Sequence, residues 1–332
     1  MEALYHEAQS RGPMISPREL ARRFDGMDLS AWRALDAVFP GRITRSWAGR
    51  MRHVRDALAR QVLPDMVELE ADGDDISDPV GEQGRMPVPW VVQKHSDRAL
   101  LLVTRRCHVH CRYCFRRDLP GSADPSTADL DRAIDYLSAG GLEEVILSGG
   151  DPLALRNAQL FEIIDRLRPH VPIIRIHTRA PITEPSRVTP SLVAGLADRQ
   201  PTWVVVHANH PDELDEAVST GLARLVDAGI PVMNQAVLLR GVNDDADVLA
   251  ALSRALVRRR VRPYYLHHPD HAPGNAAFRL SPTEGLEIYR SLRAKVSGLA
   301  LPAYMIDPPD GTGKVPVEEW TTRLASRPVP SR

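Results

Sequence analysis

The apolar and polar positions of this chain form a repeating pattern from residue 98 onward. Six short runs rich in aliphatic and β-branched residues predict strands at 99–104, 144–149, 172–177, 202–207, 231–239 and 262–267. Each run is followed by a segment whose apolar residues recur at helical spacing, and the last of these segments opens with a capping box from Ser281 to Glu284. Because strands alternate with helices, the pattern predicts an α/β fold with a parallel sheet covered by helices, either an open sheet or a partial barrel.

The regions before and after this repeat have different patterns. Residues 1–62 predict helices, and the segment SPRELARRF arranges Ser16, Pro17 and Glu19 as a capping box. Residues 69–93 are rich in Asp, Gly and Pro, which predicts an irregular connection. We therefore expect three regions: an N-terminal helical region with its connection (1–93), a partial barrel (94–298) and a C-terminal segment (299–332).

The composition is typical of a globular protein with a sizeable core. The chain has 332 residues, of which 43% are hydrophobic and 26% are charged. No apolar run is long enough to cross a bilayer, and the N-terminus lacks the apolar segment of a signal peptide. A net charge of −1 gives no reason to expect a nucleic-acid partner. All three cysteines lie within eight positions, which argues against a disulfide scaffold and for a reducing, cytoplasmic location. Since no apolar run could cross a bilayer, we also expect no membrane partner.

Polar residues collect where the predicted strands end. TRRCHVHCRYC follows the first strand, SGGD the second, HTR the third, HANH the fourth and HHPD the sixth, while Gln235 lies on the fifth. In barrels built from such units, active sites form at the C-terminal ends of the strands. We therefore expect one site that combines these groups.

The three cysteines, Cys107, Cys111 and Cys114, leave two interpretations open. One is a structural zinc site with His108 or His110 as the fourth ligand, although zinc motifs usually pair two ligand couples and no second couple exists here. The other is a [4Fe–4S] cluster held by three thiolates, which leaves one iron without a protein ligand. We favour the cluster, because an open iron can bind a small molecule directly.

The spacing Cx3Cx2C after a first strand resembles the radical S-adenosylmethionine (SAM) superfamily. The resemblance implies a partial (β/α)6 TIM-like barrel in which the amino and carboxylate groups of SAM bind the open iron. The segment SGGDP could be an ordinary turn, but after the second strand it resembles the glycine-rich SAM-binding motif of that superfamily. Exposed N–H groups there could take the SAM carboxylate, so the predicted SAM-binding residues are Ser148, Gly149, Gly150 and Asp151.

A second motif narrows the family. The chain has only three lysines, Lys94, Lys295 and Lys314, and Lys314 lies in the glycine-rich segment DPPDGTGKVPV. Such a segment is usually an exposed turn, but a lysine amine can form a Schiff base with pyridoxal phosphate (PLP). Together with the cysteine motif, this segment resembles the lysine 2,3-aminomutases, which are radical SAM enzymes that use PLP. The resemblance runs from about residue 78 to about residue 317, through DPVGEQ, CRYCFRR, LSGGD, HANHP, NQAVLLRGVND and RPYYL.

The resemblance implies a role for each matching residue. Lys314 would bind PLP covalently, the phosphate of PLP would contact Lys94, His95 and Arg98, and His207 and Gln235 would lie near SAM. Arg116 would bind the α-carboxylate of the substrate, for which a bidentate guanidinium is suited. Asp270 and Asp307 would surround the ε-ammonium group of lysine, since two carboxylates complement one cation and would repel a glutamate side chain.

The expected reaction is the migration of the amino group of L-lysine from C2 to C3, which gives β-lysine and makes the protein an isomerase. The implied partners are lysine and an electron donor such as flavodoxin or ferredoxin, and homo-oligomers are among the expected assemblies. The chain has no cysteines for the C-terminal zinc-binding extension of the larger aminomutases, so it also resembles the short branch that modifies elongation factor P. The alternatives are an aminomutase for arginine or glutamate and a non-catalytic zinc-binding barrel.

Overall fold

The computed structural model describes residues 14–117 and 123–325, and the strands of this part form one sheet whose strand order follows the chain order. The strands are β1 (Val91–Val92), β2 (Arg98–Thr104), β3 (Glu144–Gly149), β4 (Ile173–His177), β5 (Thr202–His207), β6 (Val232–Val237), β7 (Arg262–His267), β8 (Ala303–Ile306) and β9 (Val315–Pro316). Strands β2 to β8 are parallel to one another, whereas β1 and β9 pair antiparallel at the two edges. Within the described residues the two edge strands do not pair, so the sheet is a partial barrel.

Helices connect the parallel strands and precede the sheet. They are α1 (Pro17–Arg23), α2 (Leu29–Leu35), α3 (Arg45–Arg50), α4 (Ala57–Arg60), α5 (Thr127–Ala139), α6 (Asn157–Leu167), α7 (Ala180–Thr183), α8 (Pro190–Ala197), α9 (Glu216–Asp227), α10 (Ala246–Arg258), α11 (Pro282–Lys295) and α12 (Val317–Ala325). Short 3₁₀ turns lie at Met66–Leu69, Gln83–Arg85, Pro152–Ala154, Pro185–Arg187, Pro211–Glu213 and Ala276–Phe278. Parallel strands require such crossovers, which place the helices on the outer face.

The α/β fold predicted from the repeat is confirmed. All six predicted strands are present, with ends that differ from the predicted ones by no more than two residues. The sheet nevertheless has a seventh parallel strand, Ala303–Ile306, that the sequence pattern missed. This strand has only four residues and two of its side chains are partly buried, so its apolar run is too short to stand out.

The N-terminal region is helical where the structure describes it, and residues 1–13 of the predicted region lie outside the described part. The two predicted capping boxes are present, from Ser16 to Glu19 and from Ser281 to Glu284. Trp47 on α3 is fully buried in the same core cluster as the strands, and its Nε1 donates to the carbonyl oxygen of Leu58 at 3.2 Å. The helical region is therefore packed against the barrel.

Strand β3 is buried on both of its faces. Its residues Val145, Ile146 and Leu147 are all buried, without the alternation of a strand that has one wet face. Among the described helices, none combines the length and the apolar character that crossing a bilayer requires.

Candidate active site

A cavity of about 690 Å³ extends along the inside of the barrel. Its walls include Arg98 and Glu144, at the starts of β2 and β3, as well as Cys107 and Gly150, beyond the ends of the same strands. All of the residues that the sequence predicted for the site line this cavity: Cys107, Cys111, Cys114, Ser148, Gly149, Gly150, Asp151, His207, Gln235, Lys94, His95, Arg98, Lys314, Arg116, Asp270 and Asp307. The tertiary structure therefore brings them together, while their individual roles stay predictions.

The cysteine loop, residues 105–117, follows β2 and is anchored to the helical region. The Arg112 side chain is 1% exposed, and its Nε donates to both carboxylate oxygens of Glu68, at 2.9 and 3.1 Å. On the other side of the loop, Nε of Arg42 donates to the carbonyl oxygen of Cys107 at 2.8 Å. These contacts come from residues far away in the chain. The conformation of the loop is therefore fixed by tertiary contacts in addition to its local sequence.

Two of the cysteine thiols, Cys107 and Cys114, lie in surroundings that disfavour a free thiolate. Burial raises the pKa of Cys114 to about 11 and raises the pKa of Cys107 well above its usual value. Thiolates at these positions therefore need a strongly cationic partner, which a metal centre provides. Within the described ranges, no three His, Cys, Asp or Glu side chains converge on a single metal ion. A [4Fe–4S] cluster takes each of three thiolates on a different iron, and three cysteines in one loop are a donor set of that kind.

Gly149 and Gly150 bring the end of β3 against the cysteine loop. Gly149 has a φ of +118°, and a Cβ there would clash with the carbonyl oxygen of Thr104 at the end of β2. A Cβ on Gly150 would clash with the carbonyl oxygens of Arg105 and Arg106 in the cysteine loop. The N–H of Gly150 donates to the Thr104 oxygen at 2.7 Å, and the N–H of Asp151 donates to the Arg106 oxygen at 2.7 Å. These two N–H groups are therefore already bonded within the protein, and the predicted contact of this segment with the SAM carboxylate stays a prediction.

The Asp151 carboxylate is likewise engaged in the protein. It is 4% exposed and accepts hydrogen bonds from the Leu153 N–H at 2.9 Å, the Thr178 hydroxyl at 2.6 Å and the Arg179 N–H at 2.9 Å. These contacts hold the loops after β3 and β4 together. Asp151 thus shapes the cavity wall, and its predicted contact with SAM stays a prediction.

Two lysines and two aspartates form a compact charged group near the C-terminal segment. The Asp307 carboxylate accepts from Nζ of Lys94 at 2.9 Å and from Nζ of Lys314 at 3.1 Å. Burial alone would raise the pKa of Asp307, but the two ammonium groups hold it below its usual value. Burial and the charge of Asp307 raise the pKa of the neighbouring Asp270 to about 7. The group therefore has a partly buried carboxyl whose charge changes near neutral pH.

Arg116 lies in the cavity wall with its side chain 12% exposed, and it pairs with Glu82. Its Nε donates to Glu82 at 2.9 Å and its Nη2 donates to the other carboxylate oxygen, so the pair is bidentate. This guanidinium can bind a carboxylate in the geometry that the sequence predicted for the substrate. Glu82 lies in the segment DPVGEQ, which carries part of the family resemblance, but it was not among the predicted site residues.

The residues predicted for the PLP phosphate have different surroundings. Lys94 is held by Asp307 and also donates to the Val80 oxygen. Arg98 is paired with its neighbour Asp97 at 2.9 Å and is 38% exposed. His95 packs against the glycine next to Lys314, where a Cβ would lie 2.6 Å from the imidazole. Burial and Arg98 lower the pKa of His95, which favours a neutral ring.

His207 and Gln235, the residues predicted near SAM, are direct neighbours in the parallel pair β5–β6. Nε2 of His207 lies 3.2 Å from the Tyr113 hydroxyl and 3.1 Å from Oδ1 of Asn209. Burial and the positive charge of Arg179 hold the pKa of His207 well below its usual value, so the ring is neutral. The cysteine loop is thereby connected to the end of β5 through Tyr113.

The sequence of the barrel region matches known proteins. Residues 101–252 match the family model of the radical SAM superfamily. The L-lysine 2,3-aminomutase of Clostridium subterminale is 42% identical over 267 residues, which cover 79% of this chain and 64% of that protein. The L-lysine 2,3-aminomutase of Methanococcus maripaludis is 38% identical over 293 residues, which cover 86% of this chain and 67% of that protein.

The chain belongs to the lysine 2,3-aminomutase family. The resemblance drawn from the sequence motifs is thus confirmed. A glutamate 2,3-aminomutase of Clostridioides difficile also matches, at 36% identity over 260 residues that cover 77% of this chain and 61% of that protein. The matches therefore leave the amino acid substrate undecided.

Membership in the lysine 2,3-aminomutase family implies a [4Fe–4S] cluster, SAM and PLP. The residues of this chain fit such groups: three thiols lie in one loop, and an amine at Lys314 faces the same cavity. Several cavity residues were not predicted as site residues: Glu82, Tyr113, Arg175, His177, Arg179, Tyr264, Tyr265 and His267. The segments HTR and HHPD are polar strand ends in the sequence. The sequence of one strand end does not show which of its side chains faces the cavity.

Proposed function

We propose that this chain catalyses the migration of the amino group of L-lysine from C2 to C3, using a [4Fe–4S] cluster, SAM and PLP and taking its electron from a small donor protein. The observation that carries the proposal is the position of two carboxylates, Asp270 and Asp307, at the cavity wall beside the amine of Lys314. A substrate whose side chain ends in an ammonium group complements this pair. A substrate whose side chain ends in a carboxylate would be repelled.

The charges in the group leave room for one additional cation. In the structure the carboxylate of Asp307 is balanced by Lys94 and Lys314. If the Lys314 amine binds the carbonyl carbon of PLP covalently, Asp270 and Asp307 face one ammonium group fewer. The ε-ammonium group of lysine is a cation of the required kind, and binding there would restore the balance of charge.

Each proposed residue has a distinct task around the substrate. When bound, the cluster and SAM supply a carbon radical, and PLP supplies a carbonyl carbon and a conjugated ring for the migrating nitrogen. Arg116 binds the α-carboxylate with the bidentate guanidinium that now holds Glu82, while Asp270 and Asp307 hold the ε-ammonium at the other end. With both ends fixed, C2 and C3 have one orientation. The barrel wall keeps water from the reacting carbons.

The test of the proposal is an anaerobic assay with the reconstituted protein, SAM, PLP and dithionite. We expect L-lysine to give β-lysine, while L-glutamate and L-arginine supplied at the same concentration give no β-amino acid. Chromatography of labelled products after derivatisation distinguishes the isomers. If glutamate or arginine is converted and lysine is not, the assignment of lysine is wrong although the family remains.

The charged group also predicts a pH dependence. The carboxyl of Asp270 faces Asp307, Lys314, Lys94 and Glu82, and burial is the largest reason why its pKa is raised to about 7. Below that pH the carboxyl is neutral and cannot balance an ammonium group, whereas above it the carboxylate is charged. We therefore expect kcat/KM for lysine to rise with pH through about 7. A kcat/KM that is flat from pH 6 to 8, or that falls, would contradict this.

A further inference from the structure

A buried arginine contacts one of the three cysteines. Arg179 follows β4 by two residues, and its Nη1 donates to Sγ of Cys111 at 2.8 Å. The side chain is 8% exposed, so the guanidinium is largely removed from water. A cation held against a metal-ligand sulfur in a medium of low dielectric constant has a much larger electrostatic effect than one at the surface.

The guanidinium of Arg179 is fixed by further contacts. Its Nη2 donates to Oε1 of Gln61 at 2.6 Å and to Oε2 of Glu213 at 3.2 Å. The group also packs over the ring of Trp47, 4.6 Å from its centroid, and near the ring of Tyr113 at 5.5 Å. Because polar and aromatic contacts surround it, the cation cannot move away from the cysteine loop without breaking several of them.

The carboxylate that pairs with Arg179, Glu213, is also buried and accepts several hydrogen bonds. Glu213 is fully buried, and its Oε1 accepts from Nε2 of Gln61, the N–H of Asn209 and the N–H of His210, each at 3.0 Å. Three donors on that oxygen fix the position of the carboxylate next to the guanidinium. A buried ion pair of this kind is weak evidence for a role in stability, since apolar residues of similar size often do as well.

We propose that Arg179 is a positioning residue that holds the Cys111 sulfur and raises the reduction potential of the cluster, and that Glu213 partly offsets this effect. The inference rests on the proposed function, in that the cysteine loop carries a [4Fe–4S] cluster. Reduction adds one electron and therefore one negative charge to the cluster. A neighbouring cation stabilises the reduced form and a neighbouring carboxylate opposes it, in the same way as other hydrogen bonds to cluster sulfurs tune the potential.

The test compares Arg179→Gln, Arg179→Lys and Glu213→Gln after anaerobic reconstitution. The midpoint potential of each cluster is measured by a redox titration followed by electron paramagnetic resonance, without SAM. We expect Arg179→Gln to shift the potential to more negative values, Glu213→Gln to shift it to more positive values, and Arg179→Lys to stay near the unmodified chain. A loosened fold would move both charge-removing variants in the same direction, so the opposite signs are the diagnostic result.

A matched control is available on a nearby segment. Arg187 is also partly buried, but it donates to the carbonyl oxygens of Leu153 at 2.7 Å and Leu155 at 3.0 Å instead of to a cysteine. Arg187→Gln should leave the midpoint potential unchanged. If Arg179→Gln takes up no iron, a positive shift in Glu213→Gln together with an unshifted Arg179→Lys supports the proposal, and an unshifted Glu213→Gln overturns it.

Two outcomes would overturn the inference. One is an unchanged midpoint potential in Arg179→Gln without SAM, accompanied by weaker SAM binding, which would make Arg179 a SAM ligand instead. The other is a shift of the same sign in Arg179→Gln and Glu213→Gln. The titration needs neither lysine nor PLP, so a protein that binds a cluster but does not convert lysine would fail the proposed function without affecting this test.

Discussion

Lys314→Ala is expected to lose the covalent PLP adduct and to lower kcat for lysine by about three orders of magnitude or more, which corresponds to a barrier higher by about 4 kcal/mol. Lys314 faces the cavity and is one of only three lysines in the chain. Lys94 is held by the Val80 oxygen and by Asp307, so it is not placed to take over. The measurement is reduction of the PLP-loaded protein with borohydride, followed by mass spectrometry of the labelled peptide.

Lys295→Ala is the matched control, since its ammonium group is paired with Asp247 at 2.7 Å outside the cavity lining. This variant should keep both the adduct and the turnover. An adduct that survives in Lys314→Ala, or that maps to Lys94 in the unmodified chain, would show that the anchoring lysine has been wrongly assigned.

Asp270→Asn is expected to lower kcat/KM for lysine by a factor of about 10² to 10³, the loss that follows when one partner of a buried charge pair is removed. Asparagine has almost the same shape, so the cavity keeps its form while one of the two carboxylates that face the ammonium group is lost. The rise of kcat/KM through pH 7 should disappear in the same variant, because Asp270 is the carboxyl whose pKa lies near 7. Steady-state kinetics with lysine measure both effects.

Asp310→Asn serves as the control for this prediction. Asp310 lies in the same C-terminal segment but outside the cavity lining, where its carboxylate accepts from the Thr312 N–H at 3.0 Å. We expect its kinetics with lysine to stay within about twofold of the unmodified chain, as for most surface substitutions. Unchanged kinetics in Asp270→Asn would remove the argument for lysine over glutamate.

The parts of this fold that were predicted correctly are the parts whose cause is local. Several strands are visible in the sequence because they are continuous apolar runs, as at 144–149, where the strand is buried on both faces. The helix starts at Ser16 and Ser281 are visible because a capping box is completed within four residues. Strand β8 was missed because four residues do not make such a pattern.

The sequence predicted which residues gather at the candidate site, but not which of them contact one another. Strand ends placed the cysteines and the glycines at one site, since parallel strands bring their C-terminal ends to the same edge. The family resemblance added Lys314 to that site. The sequence did not show that the N–H groups of Gly150 and Asp151 are bonded to the end of β2 and to the cysteine loop, or that Arg116 is paired with Glu82. Both contacts join segments that are 34 or more residues apart.

By itself, the sequence determined the α/β repeat, the family and the set of chemical groups that gather at the site, because spacing and residue type are properties of short segments. Only the tertiary structure decided which charged side chains form pairs with one another. Gln61, Arg179 and Glu213 come from three distant segments, and they meet at Cys111 because the helical region packs against the barrel. Electrostatic energy depends on distance in space and on burial, and neither quantity can be read from positions along the chain.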